Sequence, residues 1–194
     1  MKRAKIFWIS LACVIVLVQF VLFVGFRVFF RGYRVPSSAM SPTIAQGEQV
    51  IVRRTGDVTT GDIIAFRSPN DERAEHISRI VAASGDTVQI RDKRLFINGK
   101  EINEPYVVHE DPEIYPRKLE LPEPYRSRDH FGPFVIPANH FFTLGDNRDH
   151  SYDGRYWGAV PAKNVIGRVI LIYSARGFRR PPASSRTAPT LPPK

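Results

Sequence analysis

The chain has 194 residues, 43% hydrophobic and 24% charged, close to globular averages and unlike disordered or collagen-like chains. Its 28 Lys and Arg against 19 Asp and Glu give a formal net charge of +9 and a pI near 10. The single cysteine, Cys13, excludes an internal disulfide scaffold and a Cys-rich zinc site.

Residues 7–26 read FWISLACVIVLVQFVLFVGF. The run holds no charge, and its clearly polar residues are Ser10 and Gln19. At about 1.5 Å per residue it spans about 30 Å, the thickness of a bilayer core. It is longer than the apolar part of a secretory signal, and no A-x-A pattern follows it. A transmembrane helix over 7–26 is predicted, with 1–6 on the cytoplasmic side. Lys2, Arg3, Lys5 and the amino terminus precede the run, and Arg27, Arg31 and Arg34 follow it, a small bias toward that orientation. The basic balance suits a domain held at an anionic lipid surface. With no zinc finger, RNA-binding signature or basic helix, no nucleic-acid partner is expected.

After the anchor the pattern changes to short β-type runs between turn residues. Strands are predicted at 49–53, 61–66, 76–82, 87–91, 94–97, 100–102, 134–136, 140–144 and 165–173. Asn98-Gly99 is the dipeptide that a type I′ hairpin turn prefers. No window outside the anchor keeps a long helical period. An all-β domain over 34–174 is therefore expected. Residues 107–133, with five prolines and many charges, read as an exposed insertion. The tail 175–194 is basic and Pro-rich, and is expected to be disordered.

Three segments carry the chemistry: YRVPSSAMSPTIAQGEQVIV (33–52), HISRIVAASGDTV (76–88) and FTLGDNRDHSYDGRYWG (142–158). In the third, Asp146, Arg148, Asp149, Asp153 and Arg155 can form a dense ion-pair network. Flanking FFTL and YW point to a buried knot beside a site rather than a surface loop.

In this order the segments resemble the bacterial type I signal peptidases, the S26 serine peptidase family. That family pattern is an anchor, P-S-x-S-M-x-P-T, G-D-I-V-x-F, K-R-x-x-G-x-x-G-D and G-D-N-R-D-N-S-x-D-S-R-x-W-G. The likeness covers residues 1–174. The last motif departs only at His150 and Gly154, and Pro36-Ser37, Met40, Pro42-Thr43, Gly61-Asp62-Ile63, Arg79, Gly85-Asp86 and Ile97–Lys100 match as well. The resemblance implies a signal-peptidase-type β domain behind an N-terminal transmembrane helix. It also implies a plasma-membrane protein, single-pass, with its C-terminal domain outside the cytoplasm, cutting signal peptides after Ala-x-Ala with a Ser–Lys dyad. A serine hydroxyl must pass its proton to a base, and lysine serves only when desolvation lowers its pKa.

The family's nucleophile position is occupied by Ala39 and its general-base position by Ser78. Ala39 carries no nucleophilic atom, and a serine hydroxyl is no base near neutral pH. The supporting positions match: Ser37 for the oxyanion-hole hydroxyl, Ser151 for the serine that supports the base, Met40 and Ile77 for the small-residue pocket. Arg79, Asp153 and Arg155, with Asp146 beside them, match a structural salt-bridge set. Signal peptidase activity, a serine endopeptidase reaction, is thus implied by family and impaired by residue. The alternative is a relocated pair, Ser38 or Ser41 with His76, which on a strand faces the same way as Ser78. Ser38 would face away from Ala39 in an extended segment, and attack needs atoms about 3–3.5 Å apart. His109, His130, His140 and His150 lack metal-ligand spacing, and neither metal nor cofactor is expected. The implied partners are signal peptides or exported preproteins and the lipid membrane, with an active paralogue or secretion machinery as further candidates.

Overall fold

The computed structural model describes residues 2–71, 73–116, 128–175 and 177–182. Helix α1 (Lys2–Phe29) leads the chain. Its stretch Leu11–Phe29 has a mean hydropathy of 2.5 and is not buried by the protein. It is long and apolar enough to cross a membrane. The helix reaches past both predicted ends. It stops because the next residues pair as a strand: β1 (Phe30–Arg34) runs antiparallel to β2 (Gln49–Arg53), Phe30 opposite Arg53. The Arg54 N–H then caps the Phe29 carbonyl at 2.8 Å. The β domain therefore begins at Phe30, not at residue 34. The sequence hid β1 because the apolar run continues through Phe29 and Phe30.

The remaining strands are β3 (Ile63–Arg67), β4 (Glu75–Ala83), β5 (Thr87–Arg91), β6 (Arg94–Ile97), β7 (Lys100–Glu101), β8 (Phe131–Val135), β9 (His140–Leu144), β10 (Val160–Pro161), β11 (Val165–Ser174) and β12 (Gly177–Arg179). Among the described residues they form two sheets. The larger runs β1-β2-β11-β3-β4-β9-β10, with β12 joined to β11, and the smaller runs β7-β6-β5-β8. The ladders of both are antiparallel. The small sheet is built on turns legible in the sequence. Asn98 and Gly99 both take positive φ, 52° and 78°, as a type I′ turn requires. Asp92 and Lys93 do the same between β5 and β6, at 49° and 67°.

Three apolar clusters hold the sheets. Val35, Met40, Ile44, Val50, Val52, Ile63 and Ala65 fill one. Ile64, Phe66, Ile80 and Phe141 fill a second. The third joins the sheets through Val81, Ala82, Phe142 and Leu144 against Val88, Ile90, Leu95 and Ile97. Register explains the sorting along β4: Ile77 opposes Ala65 while Ser78 opposes Ile64, so neighbours face opposite ways. From Ser78 to Ala83 β4 is buried on both faces.

Two expected segments differ from the reading. Of the insertion 107–133, residues 117–127 lie outside the described residues, and the rest is not exposed throughout. Arg128 and Asp129 are buried, and Phe131–Val135 is strand β8, paired with β5. Val108 bridges Asn147, and Asp149 accepts from the Asp111 N–H at 2.8 Å. Partners so distant in sequence leave no local periodicity to read. The tail does not leave the domain at 175 either. Gly177–Arg179 pairs with the end of β11, and Arg179 donates to the Thr43 carbonyl and Glu48, both at 2.6 Å. Residues 183–194 lie outside the described residues.

Candidate functional site

A cavity of about 460 Å³ opens where three segments meet. The chain leaving β1 supplies residues 33–37, Ala39 and Met40. β4 supplies Glu75 to Ser78, and the loop after β9 supplies His150 and Tyr152. A larger cavity of about 620 Å³ lies between β3, β11 and residues 180–182. It includes none of the residues singled out as catalytic or substrate-binding, so the smaller one is the candidate site.

Of those residues, Ser37, Ala39, Met40, Ile77 and Ser78 line the cavity together. Met40 is 1% exposed and joins the apolar cluster that Ile77 packs against. Ser78 is buried on the opposite face of β4 from Ile77. Ser151 is also buried, and its Oγ has no hydrogen-bond partner among the described residues. It lies close to Gly145 together with the Ala39 carbonyl, for a Cβ at Gly145 would overlap both. Glycine is thus required where the loop passes the Ala39 segment. Ser38 and Ser41 are not among the cavity-lining residues. They close a turn on each other, Ser41 N–H to the Ser38 carbonyl at 2.9 Å.

His76 lines the cavity and packs against Trp157 and Phe66, with ring centroids 4.7 Å and 5.8 Å away. Burial pulls its imidazole below the ordinary value, against a smaller opposite pull from Asp71. Burial pushes the Tyr33 phenol up to about 12, with the Glu75 carboxylate adding to the shift.

The charged loop is the knot that its flanks suggested, and its Asp149 faces Lys93, His109 and Arg128 at 3.4, 3.6 and 3.7 Å. Arg79 forks onto Asp146 at 2.9 and 2.7 Å and donates to the Gly61 carbonyl at 3.0 Å. Its guanidinium lies 3.9 Å from the Tyr106 ring centroid. Burial works against the Arg79 charge, but the bond and charge of Asp146 outweigh it, so its pKa is raised. Asp153 caps the short helix α2 (Gly154–Trp157) by accepting from the Arg155 N–H. It also pairs with the Arg155 guanidinium at 2.9 and 3.0 Å. Arg148 Nη2 donates to both carboxylate oxygens of Glu104 at 2.8 Å. The Asn147 N–H donates to the Ala39 carbonyl at 3.1 Å. Ala39, the loop and β4 are thereby tied into one rigid wall.

Sequence reasoning missed the cavity-lining residues Tyr33, Glu75, His150 and Tyr152, and Tyr106 and Glu104 in the knot. His150 was visible as a departure from the family motif. Glu104 and Tyr106 lie between β7 and the segment read as an insertion, and carry no signal of their own.

A β domain of two joined sheets, borne on one long apolar helix, with a cleft where the end of β1, β4 and the loop after β9 meet, is the class of protein defined so far. A family model described as signal peptidase, peptidase S26, matches residues 6–174. A signal peptidase I of Pseudomonas fluorescens is 31% identical over 196 residues, covering 80% of this chain and 69% of that protein. A signal peptidase I of Bacillus amyloliquefaciens is 34% identical over 171 residues, covering 86% of each. A crystal structure of a signal peptidase I from Enterococcus faecalis is 30% identical with a TM-score of 0.43, covering 57% of this chain and 95% of that one. The chain belongs to the S26 signal peptidase family.

Proposed function

We propose that this protein engages the signal-peptide segments of exported preproteins at the membrane face and no longer cleaves them efficiently. The observation that carries the reading is the pairing of Ala39 and Ser78 in one cavity, at the positions where the family resemblance expects nucleophile and base. Neither side chain can do that work. The Ser151 hydroxyl, buried without a hydrogen-bond partner among the described residues, fits a site whose lysine has been replaced. Binding features persist: Met40 and Ile77 offer a small apolar pocket, and Ser37 offers a hydroxyl. In triad hydrolases stripped of their catalytic groups, about 10³–10⁴-fold acceleration over water survives from binding and the oxyanion site, too little for processing secreted proteins. Under this reading α1 is a single pass, and the β domain stands on the outer face of the plasma membrane. An active paralogue or the secretion machinery would act on what the protein holds.

The test uses the full chain in lipid vesicles with a preprotein bearing an Ala-x-Ala site. The parent protein should bind it without cleavage, and Ile77→Trp should abolish binding. The double variant Ala39→Ser, Ser78→Lys should cleave. Cleavage by the parent protein that is lost in Ser38→Ala, Ser41→Ala or His76→Ala would instead establish a relocated catalytic pair. Absence of both binding and cleavage would leave the cleft without a use.

A further inference from the structure

We propose that the junction between α1 and the β domain is a binding site for the phosphate of an anionic phospholipid. A second cavity, of about 330 Å³, sits there, lined by Phe26, Arg27, Phe30, Arg31, Gly32 and Arg54. Three of these six are arginines drawn from three places: the last turn of α1, strand β1, and the residue just after β2. The fold gathers them; the sequence spreads Arg54 far from the other two.

The charges are largely uncompensated. Arg31 pairs with Glu75 at 3.0 Å. Among the described residues Arg27 and Arg54 have no carboxylate within ion-pair distance, and Arg27 stands 5.9 Å from the Phe23 ring centroid. Three exposed guanidiniums gathered with one carboxylate form a local positive field that attracts an anion. Guanidinium forks match phosphate oxygens in shape and charge. The carbonyl end of a helix would ordinarily repel an anion. Here the Phe29 carbonyl already accepts from the Arg54 N–H at 2.8 Å, which blunts that repulsion.

The other face of the cavity is apolar. Phe26 and Phe30 stack with centroids 4.9 Å apart, a surface suited to the glycerol and first methylenes of a lipid. The depth is right as well. The apolar stretch runs to Phe29, so Arg27, Arg31 and Arg54 lie at headgroup level when α1 spans the bilayer. That clause rests on α1 spanning a membrane, and not on whether the cleft binds or cleaves peptides. A charged apolar junction facing lipid commits the site to a phospholipid rather than to free phosphate.

The experiment is native mass spectrometry of the full chain, released from detergent with phosphatidylglycerol or phosphatidylcholine added. One phosphatidylglycerol should be retained, at least about tenfold more tightly than phosphatidylcholine. Arg27→Gln with Arg54→Gln should lose that preference. Lys100→Gln with Lys163→Gln removes the same charge from exposed positions elsewhere and should keep it. Arg54→Lys keeps the charge without the fork, and should fall between. Equal retention of the two lipids, or equal loss in the remote double variant, would overturn the proposal by showing unspecific charge attraction. Displacement by millimolar inorganic phosphate would overturn the lipid assignment in favour of an ion site. Insertion into vesicles, followed by flotation, separately reads whether α1 spans.

Discussion

Replacing Arg79 with methionine removes the cation that joins β4 to the charged loop. Arg79 is 0% exposed and Asp146 1%, so the change leaves a carboxylate buried with neither its two-pronged partner nor water. Losing one partner of a buried pair costs about 3–5 kcal/mol. The Gly61 carbonyl also loses a donor and Tyr106 its cation. A domain of this size shifts by about 2–4 °C per kcal/mol, so Tm should drop by about 6–20 °C. Near-ultraviolet circular dichroism of the full chain in detergent reads the melt while α1 stays helical. Adding Asp146→Leu to Arg79→Met should recover most of the loss, since an apolar pair of similar volume often replaces a buried ion pair at little cost. A single variant within about 1 kcal/mol of the parent protein, a typical surface-pair value, would refute the claim that this pair ties the walls of the cleft together. So would a double variant no more stable than the single.

Gly145→Ala should destabilise by about 1–3 kcal/mol, an overpacking cost, because its Cβ meets Ser151 Oγ and the Ala39 carbonyl. Urea unfolding would measure it, and an unchanged midpoint would place the loop farther from Ala39. His76 and His109 both have imidazoles held below the ordinary value, in each case chiefly by burial. The unfolded chain therefore takes up protons first, so stability should fall as pH drops below about 6.5 toward their lower folded values. Asp111 and Asp149, whose pKa values are lowered in the fold, lose their contribution only below about 4, outside that window. Melts at pH 7.5, 6.5 and 5.5 should show a flatter slope for His76→Gln with His109→Gln, and an identical slope would exclude them. Arg179→Ala should cost no more than about 1 kcal/mol yet raise amide exchange at residues 43–48, which Arg179 holds. Unchanged exchange there would mean that the tail does not brace the segment after Met40.

Local chemistry was legible in the sequence, and long-range pairing was not. The β5–β6–β7 meander follows from turn residues that tolerate positive φ, and Asn98-Gly99 announced one of its turns. Alternation on a strand put His76 and Ser78 on one face of β4. β12 was hidden because arginines and prolines around Gly177–Arg179 resemble a solvated tail, and only the free edge of β11 beyond β3 makes it a strand. Ala39 and Ser78 could be singled out only against a known motif, since an alanine and a serine carry no signal alone. The pairing of Arg79 with Asp146 spans 67 residues, and Arg148 with Glu104 spans 44. No window scans that far. The arginine-lined junction escaped for the same reason, because Arg54 joins Arg27 and Arg31 only after β1 folds onto β2.

α1 ends at Phe29 and β1 begins at Phe30, so the sheet continues directly from the apolar helix with no tether between them. Ala39 follows about ten residues later, a reach of at most about 36 Å from the helix end. Transmembrane helices tilt by about 0–40° to match bilayer thickness. With a stiff junction, each change of tilt would also swing the cleft and alter its height above the lipid. The protein would then act as a gauge of its membrane. A preprotein whose own apolar segment fixes the depth of its recognised residues would meet the cleft squarely in one bilayer and miss it in a thicker one.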